Sequence, residues 1–210
     1  LFILTAVIGV QNRVFNEKET NIRSDLPLPP EAVLLQRPEI LQEIDNKFKK
    51  QKGIGTVTLV GIGGAGKTVL AHQYAHKQKA NVILKVNAET QGSLIASFEN
   101  LASVLATTPE QKKELHLLRK NHNEAQREES LFLFVKQRLK SRPHWLLIYD
   151  NVEKFADIQH YFPLDSSTWG QGKVLLTTKN KNIENNVYFR NIIEIKELNQ
   201  KQKLLLFTKF

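Results

Sequence analysis

The chain contains no cysteine and no methionine among its 210 residues. Without cysteine, the chain can form neither a disulfide nor a cysteine-ligated metal site, and this composition fits a reducing compartment. We therefore predict a cytoplasmic location. Because methionine is missing even at position 1, we expect the chain to be a fragment or a trimmed product.

Long apolar runs are also scarce. The clearest one, residues 1–10, is too short to span a bilayer, and it has no basic flank or visible cleavage site. It could be the remains of a hydrophobic segment or the end of a preceding domain, so its origin stays open. We do not expect a membrane partner.

Acidic residues are fewer than basic ones. The chain has 30 Lys and Arg but 21 Asp and Glu, which gives a net charge of +9. The basic side chains are mostly scattered, with one run at residues 47–52 and a pair at Lys179 and Lys181. Scattered charge favours a solvated lysine-rich surface over a nucleic-acid site. Phe48 lies inside the run, where an aromatic ring could stack on a nucleic-acid base. Its helical spacing from Leu41 and Ile44 instead predicts a core residue.

The glycine that is present is concentrated at residues 61–68, which read Gly-Ile-Gly-Gly-Ala-Gly-Lys-Thr. This is the phosphate-loop pattern, in which glycines let backbone amides surround a phosphate. An apolar strand at residues 56–60 enters the loop and a helix at residues 69–75 leaves it. We predict a nucleotide with Mg²⁺, bound by Gly61, Gly63, Gly64, Ala65, Gly66, Lys67, Thr68 and Val69.

Four further segments are continuous apolar runs, at residues 82–86, 145–149, 174–178 and 192–195. Strands buried on both faces have this composition, and helical patterns alternate with them. The predicted fold class is therefore α/β, an open and mainly parallel sheet with helices on both faces, as in a P-loop NTPase.

Polar segments suggest where this domain is bounded. Residues 1–30 end in a proline-rich stretch that predicts an extension and a linker without regular structure. Residues 31–195 would then form the nucleotide-binding domain. Within it, the polar residues 107–129 predict either an exposed helix or a mobile excursion.

The strand at residues 145–149 ends in Asp150, and we predict that Asp150 shares Mg²⁺ with Thr68. Asn151 stands where many ATPases carry a second acid. An amide can orient water but cannot accept its proton, so hydrolysis should be slow; alternatively, Asn151 caps the next helix. The later strand ends in Thr177, Thr178 and Lys179, which predicts either γ-phosphate sensing or an ordinary polar strand end. The catalytic candidates are Lys67, Asp150, Asn151 and Lys179.

Two histidines, His72 and His76, are four residues apart on the helix after the loop. This spacing can bind zinc, but the glutamate of the H-E-x-x-H pattern is missing. We do not expect a metal there.

Taken together, residues 33–207 resemble the NB-ARC domain of signal-transducing STAND ATPases. The segments that carry the resemblance are the phosphate loop continued by Val69-Leu70-Ala71, then Asn87-Ala88-Glu89-Thr90, Leu147–Val152, Tyr161-Phe162-Pro163 and Gly172–Lys179. The second of these is similar to members with tetratricopeptide repeats.

The resemblance implies further roles. Leu34-Leu35-Gln36-Arg37 is similar to the segment that contacts adenine, which adds Leu35, Gln36 and Arg37 to the cofactor-binding candidates. Residues 196–210 would begin a truncated helical domain. The chain departs from the family pattern at Val69, at Gln36 and Pro38, and at Lys179, where a lysine loses the bidentate geometry of the usual arginine.

The function implied by the resemblance is an ATP- or ADP-binding switch of a signal-transduction ATPase with slow Mg²⁺-dependent hydrolysis. Its partners would be the missing helical, winged-helix and sensor domains of the same chain, with a homo-oligomer in the active state. Two alternatives remain open. One is a nucleic-acid-linked P-loop ATPase, suggested by the charge of +9, although we do not expect a nucleic-acid partner. The other is a scaffold that holds ADP without hydrolysis, suggested by Asn151.

Overall fold

The computed structural model describes residues 21–24, 26–31, 34–185, 188–189, 191–200, 202 and 204. The apolar segment at residues 1–10 and residues 205–207 of the predicted helical domain lie outside these ranges. Within the described part of the chain, no helix is long and apolar enough to cross a membrane.

In the described part of the chain, six strands form one sheet in which every neighbouring pair is parallel, in the order β1-β3-β4-β5-β2-β6. The strands are β1 (Ile22–Arg23), β2 (Gly55–Val60), β3 (Val82–Asn87), β4 (Trp145–Asp150), β5 (Gly172–Thr178) and β6 (Ile192–Glu194). The predicted parallel α/β architecture is confirmed. Because all strands run the same way, their carboxyl ends meet at one edge of the sheet.

Helices connect the strands. They are α1 (Pro38–Lys49), α2 (Lys67–Lys77), α3 (Gln91–Leu105), α4 (Pro109–Arg119), α5 (Glu124–Lys140), α6 (Phe155–Ile158) and α7 (Ser166–Trp169). Short 3₁₀ turns occupy Gln159–Tyr161 and Lys181–Asn185.

The polar stretch at residues 107–129 contains α4 and the start of α5, which confirms the helical alternative for this segment. The side chain of Thr108 accepts from the amide of Gln111 and begins α4, and Asn123 caps α5 in the same way. Leu115 is buried on the inner face of α4. Two caps and one apolar anchor therefore fix a segment whose composition is mostly polar.

The core consists of two layers, one on each face of the sheet. On one face, α1 and α2 cover an apolar cluster that includes Ile44, Leu59, Leu70, Tyr74, Ile83, Ile148 and Leu175. On the other face, α3, α4, α5 and α7 cover a larger cluster that includes Leu84, Phe98, Leu101, Phe134, Trp145, Leu147 and Leu176. Burial on both faces explains the continuous apolar strands.

Part of the segment before α1 packs on the domain, which corrects the expectation of no regular structure there. The residues Ile22–Arg23 form β1 and pair with β3, since the prolines that block a strand begin only at Pro27. Leu26 is buried. His76 Nε2 lies 2.8 Å from the Leu26 carbonyl oxygen, and His72 Nδ1 lies 2.9 Å from that of Pro27. The domain boundaries themselves remain predictions.

Gly172 begins β5 directly against the indole ring of Trp145. A Cβ at this position would lie 2.1 Å from a ring carbon, and Trp145 is buried. We predict that Gly172→Ala lowers the free energy of unfolding by about 1–3 kcal/mol because the core cannot yield. The measurement is urea unfolding followed by circular dichroism.

The matched control for Gly172→Ala is Gly92→Ala in the first turn of α3. The nearest atom to a Cβ there is Thr90 Oγ1 at 4.0 Å. Alanine should leave stability unchanged or raise it by up to about 1 kcal/mol, since alanine favours the helix. Equal effects of the two substitutions would contradict the packing described at Gly172.

His72 is expected to make stability depend on pH. Its Nδ1–H donates to the Pro27 carbonyl, whereas Nε2 is buried with no hydrogen-bond partner among the described residues. Burial lowers the pKa of His72 below its ordinary value, against the opposing bond to Pro27. The unfolded chain therefore takes up this proton as pH falls through about 6.5, and the folded chain takes it up only at a lower pH, so stability is lost below about pH 6.5.

We predict that His72→Gln reduces the fall in the free energy of unfolding between pH 7 and pH 5, by up to about 1.4 kcal/mol per pH unit. Denaturant unfolding at a series of pH values measures this slope. The exposed His122→Gln serves as the control and should keep the wild-type slope. An unchanged slope for His72→Gln would show that His72 does not contribute.

Candidate nucleotide site

The phosphate loop connects β2 to α2 through two glycines in the left-handed region. Gly64 has φ +77° and Gly66 has φ +84°, and a Cβ at either position would have no atom within 4 Å. The space beside these residues is therefore open. A glycine-rich loop of this kind forms a backbone concavity that accepts a phosphate group.

Gly61 has a different role, which the motif did not reveal. A Cβ at Gly61 would lie 2.4 Å from the carbonyl oxygen of Ile195. The backbones are this close because Ile195 N donates to Val60 O at 2.6 Å just after β6. Glycine is needed here for strand packing at the base of the loop.

The first turn of α2 is open to an anion. Gly66 provides no side chain to cap the helix, and no acidic residue lies in the first turn. By contrast, capping boxes close the starts of α3 and α4. The first amides of α2 and the positive end of its dipole therefore add to the loop.

Lys67 lies in the mouth of the loop, where its Nζ donates to Gly61 O and Ile62 O, both at 2.8 Å. Burial and the nearby charge of Lys179 lower the pKa of Lys67, and Asp150 opposes this shift. The loop thus carries a partly desolvated ammonium group beside the backbone concavity.

Asp150 joins the loop to the sheet. Thr68 Oγ1 donates to Asp150 Oδ1 at 2.8 Å, so the two predicted metal ligands lie together. Thr177 Oγ1 donates to the same oxygen at 2.6 Å. Sequence reasoning missed Thr177 in this role, although the polar end of its strand was noted. The sheet order explains the contact, because β5 lies between β4 and β2.

Lys85 is the second residue that sequence reasoning missed. Its Nζ lies 3.0 Å from Asp150 Oδ2. The available signal was one lysine within the otherwise apolar run of β3. Burial raises the pKa of Asp150, but hydrogen bonds from Thr177, Thr68 and Lys85 outweigh it and hold the pKa below its ordinary value. Asp150 is therefore a carboxylate at neutral pH.

Asn151 adopts a left-handed conformation with φ 62°, and its backbone N–H donates to Thr177 Oγ1 at 3.0 Å. It does not cap the next helix, because α6 begins at Phe155 with Lys154 at the cap position and no side-chain cap bond. The helix-cap alternative for Asn151 was therefore wrong. Asparagine tolerates this backbone conformation better than most residues.

A polar cavity of about 300 Å³ adjoins Asn151. Its lining residues are Glu89, Asn151, Val152, Glu153, Lys154, Lys179 and Asn180. The Cε of Lys179 lies 3.7 Å from a Cβ position built on Gly63, which places this cavity next to the phosphate loop. The carboxylates Glu89 and Glu153 were not among the predicted site residues.

A second, mainly apolar cavity of about 190 Å³ also adjoins the loop. Its lining residues are Pro29, Leu34, Leu35, Arg37, Gly64, Ala65, Gly66, Val69, Leu70, Gln73 and Leu198. The predicted adenine contacts Leu35 and Arg37 therefore lie beside the loop together with Val69. Gln36 is exposed and does not line the cavity.

Buried polar atoms on the wall of this cavity lack partners. Arg37 Nε and Nη1 and Gln73 Oε1 have no hydrogen-bond partner within the described ranges, although Arg37 has a long ion pair with Glu39 at 3.9 Å. Gln73 Nε2 donates to Leu35 O at 3.0 Å, which fixes the amide orientation. An apolar cavity with a few polar groups fits a heteroaromatic base, and its position fits a nucleotide whose phosphates lie in the loop.

Comparison with known proteins agrees with this geometry. The sequence profile of the NB-ARC domain matches residues 37–210. The chain belongs to the NB-ARC family. This nucleotide-binding family accounts for the phosphate loop, the strand ending in Asp150 and the parallel sheet within one domain.

Solved structures share the fold of this NB-ARC domain. Cdc6p from Pyrobaculum aerophilum has a TM-score of 0.59 and 16% identity, with 86% of this chain and 51% of that chain covered. A STAND protein with a tetratricopeptide repeat sensor from Pyrococcus horikoshii has a TM-score of 0.53 and 20% identity, with 85% and 26% covered. The chain therefore spans about half of one structure and a quarter of the other. Among curated proteins, none matches it significantly.

Proposed function

We propose that this NB-ARC domain binds ATP or ADP with Mg²⁺ and acts as the switch module of a signal-transduction ATPase. The observation that carries the proposal is the continuity of three features: an apolar cavity, an open backbone concavity and the Thr68–Asp150 pair. A base, a polyphosphate and a divalent cation require these three features in this order.

Four of the predicted residues, together with the loop amides, have defined roles in this proposal. Lys67 and the loop amides hold the phosphates, and Thr68 with Asp150 holds Mg²⁺. The ion, when bound, would neutralise phosphate charge. Lys179, at the edge of the polar cavity, would sense the γ-phosphate.

Leu198 supports the switch role. This residue follows β6 and lines the base cavity, so the chain leaving the domain contacts the nucleotide site. A ligand that contacts the start of the following segment can favour one arrangement of that segment over another. We infer that further helical, winged-helix and sensor domains of the same chain respond in this way, with a homo-oligomer in the active state and a cytoplasmic location.

We predict that Lys67→Ala weakens ADP and ATP binding about 10- to 100-fold, because charge-assisted hydrogen bonds contribute about 1.5–3 kcal/mol each. Equilibrium titration with a fluorescent nucleotide measures this. Lys77→Ala removes the same charge from an exposed position at the end of α2 and should bind as the wild type does. Unchanged affinity in Lys67→Ala would remove the central assignment.

We further propose that Glu89 activates water during slow hydrolysis, because Asn151 cannot accept a proton. The segment that carries Glu89 is held beside the Thr68–Asp150 pair, since the backbone N–H of Ala88 donates to the backbone carbonyl of Asp150 at 2.8 Å. The carboxyl side chain lines the polar cavity next to the loop.

We predict that Glu89→Gln lowers Mg²⁺-dependent phosphate release at least tenfold while nucleotide affinity is kept, since general base catalysis contributes about 10²–10⁴-fold. Phosphate release under single-turnover conditions measures the rate. Glu153→Gln, in the same cavity, should have a smaller effect; a larger effect would move the role to Glu153. Tight binding without any release from the wild type would favour the ADP scaffold.

A further inference from the structure

We propose that Lys85 acts as a permanent cation beside Thr68 and Asp150, the predicted Mg²⁺ ligands, which we call the metal clamp. Its ammonium group supplies part of the positive charge that Mg²⁺ would bring to Asp150, so that a nucleoside diphosphate binds with little dependence on the metal. This inference rests on the proposed nucleotide function and goes beyond it, since it specifies how much the site needs its metal.

The sheet brings Lys85 to the clamp. In the register of β3 with β4, Asn87 is opposite Asp150, and Lys85 is two residues earlier in β3. Since side chains of a strand alternate between faces, Lys85 and Asn87 share the face that α2 covers. The long stem of Lys85 then spans the remaining distance to the carboxylate at the end of the neighbouring strand.

The contact is close and shielded. Lys85 Nζ lies 3.0 Å from Asp150 Oδ2, and the side chains are 28% and 4% exposed. The other oxygen, Oδ1, accepts from Thr68 and Thr177. Both carboxylate oxygens therefore have donors from this chain, and the clamp is electrostatically satisfied by its own residues.

The charge of Asp150 makes this contact matter for binding. An uncompensated carboxylate beside the phosphate loop would repel a polyphosphate, and shielding from solvent leaves this repulsion less screened than at the surface. Lys85 cancels that charge where it arises. Lys67, whose Nζ donates to loop carbonyls, and Lys179, whose Cε lies near Gly63, are nearer the loop and can attract phosphate.

The consequence is a weak coupling between metal and nucleotide. Mg²⁺ gains less at a carboxylate that already has an ammonium partner, and the nucleotide gains less from the metal. Coupling is reciprocal, so the ratio of ADP dissociation constants without and with Mg²⁺ measures it from either side. Removal of the ammonium group should raise this ratio.

The experiment measures ADP affinity of the whole chain by fluorescence titration, once in excess EDTA and once in saturating Mg²⁺. In Lys85→Met, we expect the EDTA-to-Mg²⁺ ratio of dissociation constants to rise on the order of tenfold, mainly through weaker binding in EDTA. Lys85→Arg keeps the charge and should keep the wild-type ratio. Lys77→Met, which removes an exposed charge, should also keep it.

A wild-type ratio in Lys85→Met would overturn the proposal, and so would a ratio in Lys85→Arg that matches Lys85→Met. Lys85→Gln provides a second neutral variant if methionine impairs folding, which thermal melts would reveal. The failure of the broader function has a different signature: the wild type itself would bind ADP under neither condition. Normal wild-type binding with an unchanged ratio in the neutral variants would reject only the role of Lys85.

Discussion

The carboxylate of Asp150 is the point at which the phosphate loop and the sheet meet. It lies at the end of β4 and is held by Thr68 from α2, Thr177 from β5 and Lys85 from β3. Such a carboxylate is stable in a shielded place only when donors surround it. The positions of four elements are therefore tied to one side chain, which is also the predicted metal ligand.

The sheet order makes this convergence possible. β5 lies between the strand that enters the phosphate loop and the strand that ends in Asp150. Thr177 consequently lies between the phosphate loop and the strand that ends in Asp150. Its hydroxyl donates to Asp150 and accepts from the backbone N–H of Asn151. The clamp, the polar cavity and the turn after β4 thus share one hydrogen-bond network. A change at Thr177 would disturb all three, although Thr177 belongs to neither motif.

Local sequence patterns predicted the elements that depend on local rules. Continuous apolar runs gave the parallel strands, and the glycine spacing gave the loop with Lys67 and Thr68. The remaining features depend on long-range pairing. The contact of Lys85 with Asp150 exists only because β3 pairs with β4, so no local pattern indicates it. Likewise, the close approach at Gly61 requires β6 beside β2. The strand at Ile22–Arg23 was missed because only β3 gives so short a segment its partners.

The most direct test is a crystal structure of this domain with ADP. We predict phosphate oxygens within about 3.2 Å of the amide nitrogens of residues 64–68, with the base in the cavity beside Leu35 and Arg37. Gly64 and Gly66 should keep their left-handed conformations. Phosphates bound elsewhere, or a loop whose amides face away from the ligand, would contradict the assignment of residues 61–68 as the phosphate site.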